Sequence, residues 1–360
     1  MPDKESTSAQ AHRASMTQVA REAGVSHQTV SRVINHSPNV SAATRDRVQA
    51  VIQRLNYRPS ASARALVTQH TKTIGFIAGG VEYYGPTSTM TAIESVAREH
   101  GFYLSVAILD EHEYTRASFE DVANSFLDQG VEAFIFLAPT QNMVDAAVEA
   151  AIDRPRIVLT SAPLETADDS LRFLGIDQEA AAHDVARYLE SLGHRRVVFF
   201  SGPHDWPDAH VRMTAWIHAS RSLGWDSRVI SLKTWDAQEA FDRTLSEFAG
   251  RAARDLPTAI VTSNDLQAIG VCKALAELDI AVPQQVSVTG FDDMPGSGFL
   301  TPSLTTVRPD FTALGQRAME ELLDLMGVQP APHHPARVSA ELVIRGSTAE
   351  PRLRTGGSAL

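Results

Sequence analysis

The chain is poor in cysteine: Cys272 stands alone among 360 residues. One thiol excludes an internal disulfide and fits a reducing cytoplasm. Its setting, I-G-V-C-K-A-L, reads as helix core rather than as a nucleophile or a metal ligand. No apolar run approaches the roughly 18 residues that a membrane helix needs. The polar start, M-P-D-K-E-S-T-S-A-Q-A-H-R, has no apolar signal-peptide core and reads as a disordered tail. Motifs for chemistry are missing as well. There is no Walker loop, no G-x-G-x-x-G opening a helix and no metal-ligand spacing. His194, His204 and His210 have no serine or cysteine partner in a recognisable motif, and His333-His334 sits in a proline-rich turn. No catalytic set, no cofactor and no metal are expected.

What the chain does have is an uneven distribution of charge. Residues 1–70 hold nine basic and four acidic residues, net +5, while the other 290 hold 23 and 39, net −16. The whole-chain charge of −11 would by itself argue against nucleic acid. A basic head on an acidic body suits a head that meets phosphates and a body that does not.

The basic head also carries the clearest local pattern. Ser15 with Gln18 fits a capping box, which satisfies free N–H groups at a helix start. Val19, Ala20 and Ala23 follow on one face, and Gly24 supplies the left-handed residue that stops the helix. Ser26 can cap a second helix whose Val30, Val33 and Ile34 face inward. Residues 35–39 contain Pro38 and read as a loop. Ser41 can cap a third helix with Val48, Val51, Ile52 and Leu55 as its buried stripe. On the second helix the residues off that core are His27, Gln28, Thr29, Ser31 and Arg32. Gln can pair with adenine N6/N7 and Arg with guanine O6/N7 in a major groove. Hydroxyls and helix N-termini suit phosphate oxygens, which fix register.

The run A-R-E-A-G-V-S-H-Q-T-V-S-R-V-I-N, followed by V-S-A-A-T-R-D-R-V and L-N-Y-R-P, closely resembles the DNA-binding headpiece of the lac repressor family. The resemblance assigns base reading to His27, Gln28 and Arg32. It assigns phosphate contacts to Ser26, Thr29, Ser31, Asn35, Ser41 and Thr44. It also makes Ala61 to Val67 a hinge helix, with Ala63 and Leu66 facing the minor groove. An apolar wedge such as Leu66 can unstack a base step and kink the duplex. Ser60 stands where the family usually has Asn, and still caps a helix.

From Thr73 the pattern changes to short apolar strands alternating with helical stretches. Candidate strands are residues 73–78, 102–107, 133–137, 156–160, 196–201, 258–262 and 286–291. Helical segments fall at 89–100, 119–129, 180–192 and 265–278. Continuous apolar strands with intervening helices mean parallel sheets covered on both faces. The number of units calls for two doubly wound subdomains in tandem, split near Leu174. Open α/β sheets bind ligands beyond the carboxyl ends of their strands. Asp292 and Asp293, Asn264 and Asp265, Arg212, and Trp235 follow such ends. A carboxylate, a carboxamide, a guanidinium and an indole suit a sugar, whose hydroxyls take the polar groups and whose C–H faces pack on the ring. Asp265 reads as a helix cap, and a structural ion pair between Arg212 and Asp292 is the alternative to a ligand site.

The resemblance to the lac repressor family continues to about Ser347, through L-G-H-R-R-V, S-G-P, P-T-A-I-V-T-S-N-D, V-S-V-T-G-F-D-D and T-P-S-L-T-T-V. It implies a periplasmic-binding-protein-like core that dimerises and holds a small molecule between its subdomains. The family's ligand positions fall on Arg212, Asn264 and Asp292. Trp235 and Phe311 fall where a galactoside-binding member has aromatics. Pro309 and the strand end Ala78-Gly79-Gly80 depart from that member.

Taken together, the expected fold is α/β, with a helix-turn-helix three-helix headpiece and hinge helix before two doubly wound parallel-sheet subdomains. The expected boundaries are a disordered tail at 1–14, the headpiece at 15–58, the hinge and linker at 59–71, the core at 72–347 and a flexible tail at 348–360. Within the core, 72–173 with 309–337 make one subdomain and 174–308 with 338–347 the other. The expected function is a sequence-specific repressor of sugar-utilisation genes. Its partners would be a palindromic double-stranded operator, a small sugar effector and a second copy of the chain, with no membrane. The expected place is the cytoplasm, on the nucleoid. The tail after Ser347 has Pro351 and no leucine heptads, so a dimer is expected rather than a coiled-coil tetramer. A sugar-binding transport receptor is the alternative, though it needs an export signal and leaves the headpiece unexplained; a sugar-metabolising enzyme comes third.

Overall fold

Three short helices open the chain: α1 (Met16–Ala23), α2 (His27–Ile34) and α3 (Ala42–Arg54). Ser15 Oγ accepts from Gln18 N at 3.2 Å and starts α1. Gly24, at φ +64°, stops it in the left-handed conformation that glycine adopts without a Cβ clash. Ser41 caps α3 in the same way as Ser15 caps α1. Val19, Ala20, Ala23, Val30, Val33, Val48, Val51 and Tyr57 form the buried core. Ile34, Ile52 and Leu55, expected in that core, are only partly buried at its edge. Because the core is small, caps worth about 1 kcal/mol each are a large part of its stability. Arg54 reaches back to Glu22 at 2.7 Å and ties α3 to α1.

This computed structural model describes residues 14–34, 37–57, 70–110, 115–162, 164–333 and 335–351, and the chain divides into two units, 1–71 and 72–360. The N-terminal tail, Asn35, the expected hinge helix with Ala63 and Leu66, His334 and the last nine residues lie outside the described residues.

The second unit holds two six-stranded sheets. The first is built from β1 (Thr73–Ala78), β2 (Tyr103–Ile108), β3 (Ala133–Leu137), β4 (Arg156–Leu159), β5 (Leu171–Ile176) and β11 (Arg337–Val338), in the order β11-β5-β4-β3-β1-β2. The second has β6 (Arg196–Ser201), β7 (Asp226–Ser231), β8 (Ala259–Thr262), β9 (Ser287–Phe291), β10 (Thr305–Pro309) and β12 (Ala340–Val343), in the order β12-β10-β9-β8-β6-β7. Strands pair in parallel throughout, except that β12 runs antiparallel to β10.

Helices cover both faces of each sheet. On the first sheet, Ile74, Phe76 and Ala78 face α4 (Tyr84–Glu99) and α11 (Phe311–Leu325). Ile77, Phe134 and Phe136 face α5 (Arg116–Asp128) and α6 (Gln141–Glu149) on the other side. On the second sheet, Val198 and Phe200 pack on α9 (Ala237–Phe248) and α10 (Asp265–Glu277). Val197 and Phe199 pack on α7 (Gln178–Ser191) and α8 (Pro207–Ser222). This two-sided burial explains why the strands read as continuous apolar runs.

The chain passes between the sheets three times, from β5 into α7, from β10 into α11 and from β11 into β12. Leu174 lies inside β5, so the first crossing comes after it. The end of the described chain stays attached beyond Ser347. Thr348 bonds Tyr188 and Thr305, and Ala349 bonds Ser287 and His194. The C-terminal segment is thus held to the second sheet as far as Ala349, where the sequence suggested a free tail from residue 348. His194, 1% exposed, spends both ring nitrogens on Thr258 and Ala349, which gives it a fastening role.

Candidate functional site

In the first unit, α2 carries the polar surface. His27, Gln28 and Arg32 are exposed, and Thr29 and Ser31 are half-buried. The valines of α2 point inward to the shared core, so its other side faces solvent with polar groups alone. Ser26 Oγ accepts from Thr29 N at 3.1 Å and touches Thr29 Oγ1 at 2.9 Å. Ser41 and Thr44 repeat the arrangement at the start of α3, with their hydroxyls 2.9 Å apart. Two helix N-termini, each edged with hydroxyls, are anion-seeking ends.

In the second unit, the strand ends of the two sheets meet in a cleft. Each sheet follows the strand order 2-1-3-4-5 of doubly wound folds, and ligands bind such folds beyond the carboxyl ends. The cleft encloses a cavity of about 100 Å³. Arg212, Trp235, Asn264, Asp292 and Phe311, all expected in the site, line it together.

Arg212 lies within α8 and is 6% exposed. Its Nε and Nη2 donate to Gln178 Oε1 at 3.0 and 2.8 Å, and Nη1 donates to the Ser263 carbonyl. The guanidinium carbon sits 3.4 Å from the Phe291 ring centre, a cation–π contact. Burial lowers its pKa, while Asp292 and Asp208 counter that pull. A guanidinium has five N–H donors, so two remain for a ligand.

Asp292 follows β9, is half-buried and adopts φ +105°. Burial pushes its carboxyl up to about 8; Arg212 pulls down, and Asp265 and Asp208 push further up. Among the described residues no ion pair within 4 Å joins Asp292 to Arg212, though each group favours the charged form of the other.

Asn264 is the N-cap of α10, accepting from Gln267 N at 2.8 Å, and its Nδ2 donates to the Trp235 carbonyl at 3.1 Å. Asp265, read from sequence as the cap, is instead fully buried. It accepts from Met294 N, Ser297 Oγ and Thr306 Oγ1 at 2.8, 2.5 and 2.5 Å, and so shapes the loop that carries Asp292. The cap belongs to Asn264 because only its side chain precedes the first free N–H groups of the helix.

Trp235 is 5% exposed, and its Nε1 is buried with no hydrogen-bond partner. It meets Trp206 edge-on, with ring centres 5.2 Å apart, and Trp206 meets Tyr83 at 5.5 Å. Phe311 meets Tyr84 at 6.0 Å. Sequence reasoning does not find Trp206, Asp208, Tyr83, Tyr84 or Gln178. The available signal was position: each follows a strand end, and W-P-D opens α8 with a proline at its first turn. Asp208 accepts from Ser161 N at 3.0 Å and Gln178 Nε2 at 2.9 Å, which links the two sheets across the cleft.

This arrangement offers hydrogen bonds to a neutral polyol and apolar rings for its C–H faces. Burial pushes the Cys272 thiol up to about 12, which disfavours the thiolate that a nucleophile needs. Among the described residues there is no cluster that could hold a metal ion, and no helix is long and apolar enough to cross a membrane.

Comparison with known proteins fits both parts. The family described as bacterial regulatory proteins, lacI family, matches residues 15–60, and the periplasmic binding protein-like domain matches residues 186–348. The lactose operon repressor of Escherichia coli K12 is 29% identical over 94% of this chain and 91% of its own length. That of Klebsiella pneumoniae is 31% identical over 87% of this chain and 86% of its own. The crystal structure of the lac repressor dimer bound to operator and the anti-inducer ONPF superposes with a TM-score of 0.79 at 25% identity, covering 93% of this chain and 99% of that one. These relatives are regulators, not enzymes. From headpiece to effector core, the chain belongs to the lacI family of bacterial transcriptional regulators.

Proposed function

We propose that the protein is a sugar-responsive repressor that holds a palindromic operator as a homodimer and releases it when a small neutral sugar, a galactoside foremost, fills the cleft. One observation carries the reading. A single chain joins a helix whose outer face is wholly polar to a cleft that offers one buried guanidinium, two carboxyls and a set of aromatic rings. The operator-bound dimer of the lac repressor supports the same assembly here.

In this reading His27, Gln28 and Arg32 read base edges, with Arg32 bidentate to guanine and Gln28 to adenine. Ser26, Thr29, Ser31, Ser41 and Thr44, together with Asn35, hold phosphates. Ala63 and Leu66 enter the minor groove from the hinge. In the cleft, the remaining N–H groups of Arg212 and the carboxyl of Asp292 take sugar hydroxyls. Asn264 adds its second Nδ2 hydrogen, and Trp235 and Phe311 wall the ring. The sugar acts on DNA by preferring one arrangement of the two subdomains, and linkage makes the effect reciprocal.

Binding-site selection on random DNA, with and without a panel of neutral sugars, tests both halves. A palindrome enriched without sugar and lost with one member of the panel is the expected result. No enrichment removes the DNA reading. An enrichment that no sugar alters removes the effector reading. Arg32→Ala is expected to cost about 1–3 kcal/mol and to relax preference at one position per half-site; equal weakening on every sequence would place Arg32 on phosphate alone.

A further inference from the structure

We propose that Trp206 sets the size of the effector, closing one end of the cleft so that the site takes a single-ring neutral sugar or its simple glycoside and rejects two-ring sugars. This size limit rests on the proposal that the effector is a sugar.

Trp206 belongs to the second subdomain yet stands between both. Its indole is 5.2 Å from Trp235 on its own side, at 74°, and 5.5 Å from Tyr83 on the other, at 80°. Such edge-to-face pairs are favourable aromatic contacts. The residue is 7% exposed, so the contact is packed rather than glancing. Its backbone is held too: its N–H donates to the Pro203 carbonyl at 3.3 Å, its carbonyl accepts from His210 N at 3.0 Å, and Pro207 fixes the next φ.

The chain on either side of Trp206 is bonded across the cleft. The Asp205 carbonyl accepts from Gln141 N, at the start of α6, at 2.8 Å. Asp208 accepts from Ser161 N at 3.0 Å. Four consecutive residues of one subdomain thus touch the other three times, once by a ring and twice by backbone N–H groups. A ligand that extended past Trp206 would have to part the ring pair and the neighbouring backbone bond together.

The space left supports the same limit. The cavity of about 100 Å³ is on the scale of the roughly 150 Å³ apolar cavity that admits one benzene. That leaves room for no more than one pyranose ring between the polar groups Arg212 and Asp292 and the aromatic end at Trp235 and Trp206, and none there for a second.

Calorimetry on the full-length protein tests this, with methyl pyranosides set against lactose, melibiose, maltose and cellobiose. The wild type is expected to bind at least one methyl pyranoside tenfold or more tighter than any two-ring sugar. Trp206→Ala should narrow that preference at least tenfold, and Trp206→Phe should keep most of it. Should Trp206→Ala fail to fold, as judged by circular dichroism, Tyr83→Ala removes the same ring pair from the other side and should narrow the preference as well. A wild type that binds a two-ring sugar best overturns the size limit and leaves the sugar reading standing. An unchanged preference in Trp206→Ala, or in Tyr83→Ala where that variant replaces it, does the same. A wild type that binds none of the panel overturns both.

Discussion

Two neighbouring aspartates show how a carboxyl is aimed into the cleft. Asp292 and Asp293 both adopt positive φ, +105° and +49°, a backbone state that side chains other than glycine rarely hold. Ion pairs on Asp293 sustain the strain. Asp293, 8% exposed, receives Arg308 Nε at 2.7 Å and Nη2 at 2.6 Å. Arg345 Nη2 approaches at 2.7 Å, an ion-pair distance without hydrogen-bond alignment. Asp293→Ala takes the shared acid from Arg345 and from Arg308, but Arg308 is half exposed and keeps Glu341 nearby, so each solvent-screened pair is worth about 0–1 kcal/mol. A lowered urea midpoint together with weaker sugar binding is the expected result; full sugar affinity would show that Asp292 is held without it. Asp292 itself makes a pH prediction. Its carboxyl rises to about 8 in the folded chain from the ordinary 3.8, so the fold binds more protons than the unfolded chain between those values. Stability from this group is therefore fully present below about pH 4 and is lost as pH rises toward 8. Asp292→Asn should raise the melting temperature relative to wild type at pH 8 and above, with the gain fading toward pH 4. A gain that does not vary with pH would mean that the carboxyl is not the source.

At the scale of helices and strands, the close packing of α9 on α10 turns on one glycine. A Cβ at Gly270 would lie 2.0 Å from the Ala237 carbonyl oxygen. Helix propensity alone says that Gly270→Ala stabilises by up to about 1 kcal/mol. Overpacking says that it destabilises by about 1–3 kcal/mol, and backbone oxygen does not yield as a side chain does. A lower urea midpoint is expected, and a higher one would show that α9 can shift. The same contrast between local signal and packing explains what the sequence revealed. The strands β1, β3 and β6 were legible to the residue because their I, V and F runs are buried on both faces. The strands β5 and β7, L-R-F-L-G-I and D-S-R-V-I-S, carry charge and are partly exposed, so no apolar run marks them. Helix α8 escaped because its buried side includes Arg212 and Ser220 and shows no apolar stripe. Arg212, Asn264 and Asp292 were legible from position after strands and from family likeness. Trp206 and Tyr83 meet only when two sheets close on each other, a contact that no local spacing encodes.

Across the whole chain, charge divides the labour. The head is net +5 and the body net −16, while the proposed effector is neutral. Operator affinity should therefore fall steeply with salt, by about 10³–10⁵ between 50 and 200 mM if six to ten phosphates are met, whereas sugar affinity should hardly change. Fluorescence anisotropy and calorimetry over one salt series check both, and a flat operator curve would deny the phosphate contacts. The threading of the body bears on how it is made. Leu314, Ala318, Met319, Leu322, Leu323 and Val338 complete a core that begins at Ile74. On the ribosome, the head is therefore finished long before the first sheet can be closed. A chain halted in translation near residue 300 has a complete head joined to a body whose first core is unfinished. That unfinished core marks it for aggregation or proteolysis. Products truncated near residue 300 are therefore expected to be cleared by proteolysis rather than to accumulate on DNA, and a stable fragment of residues 1–300 would contradict this.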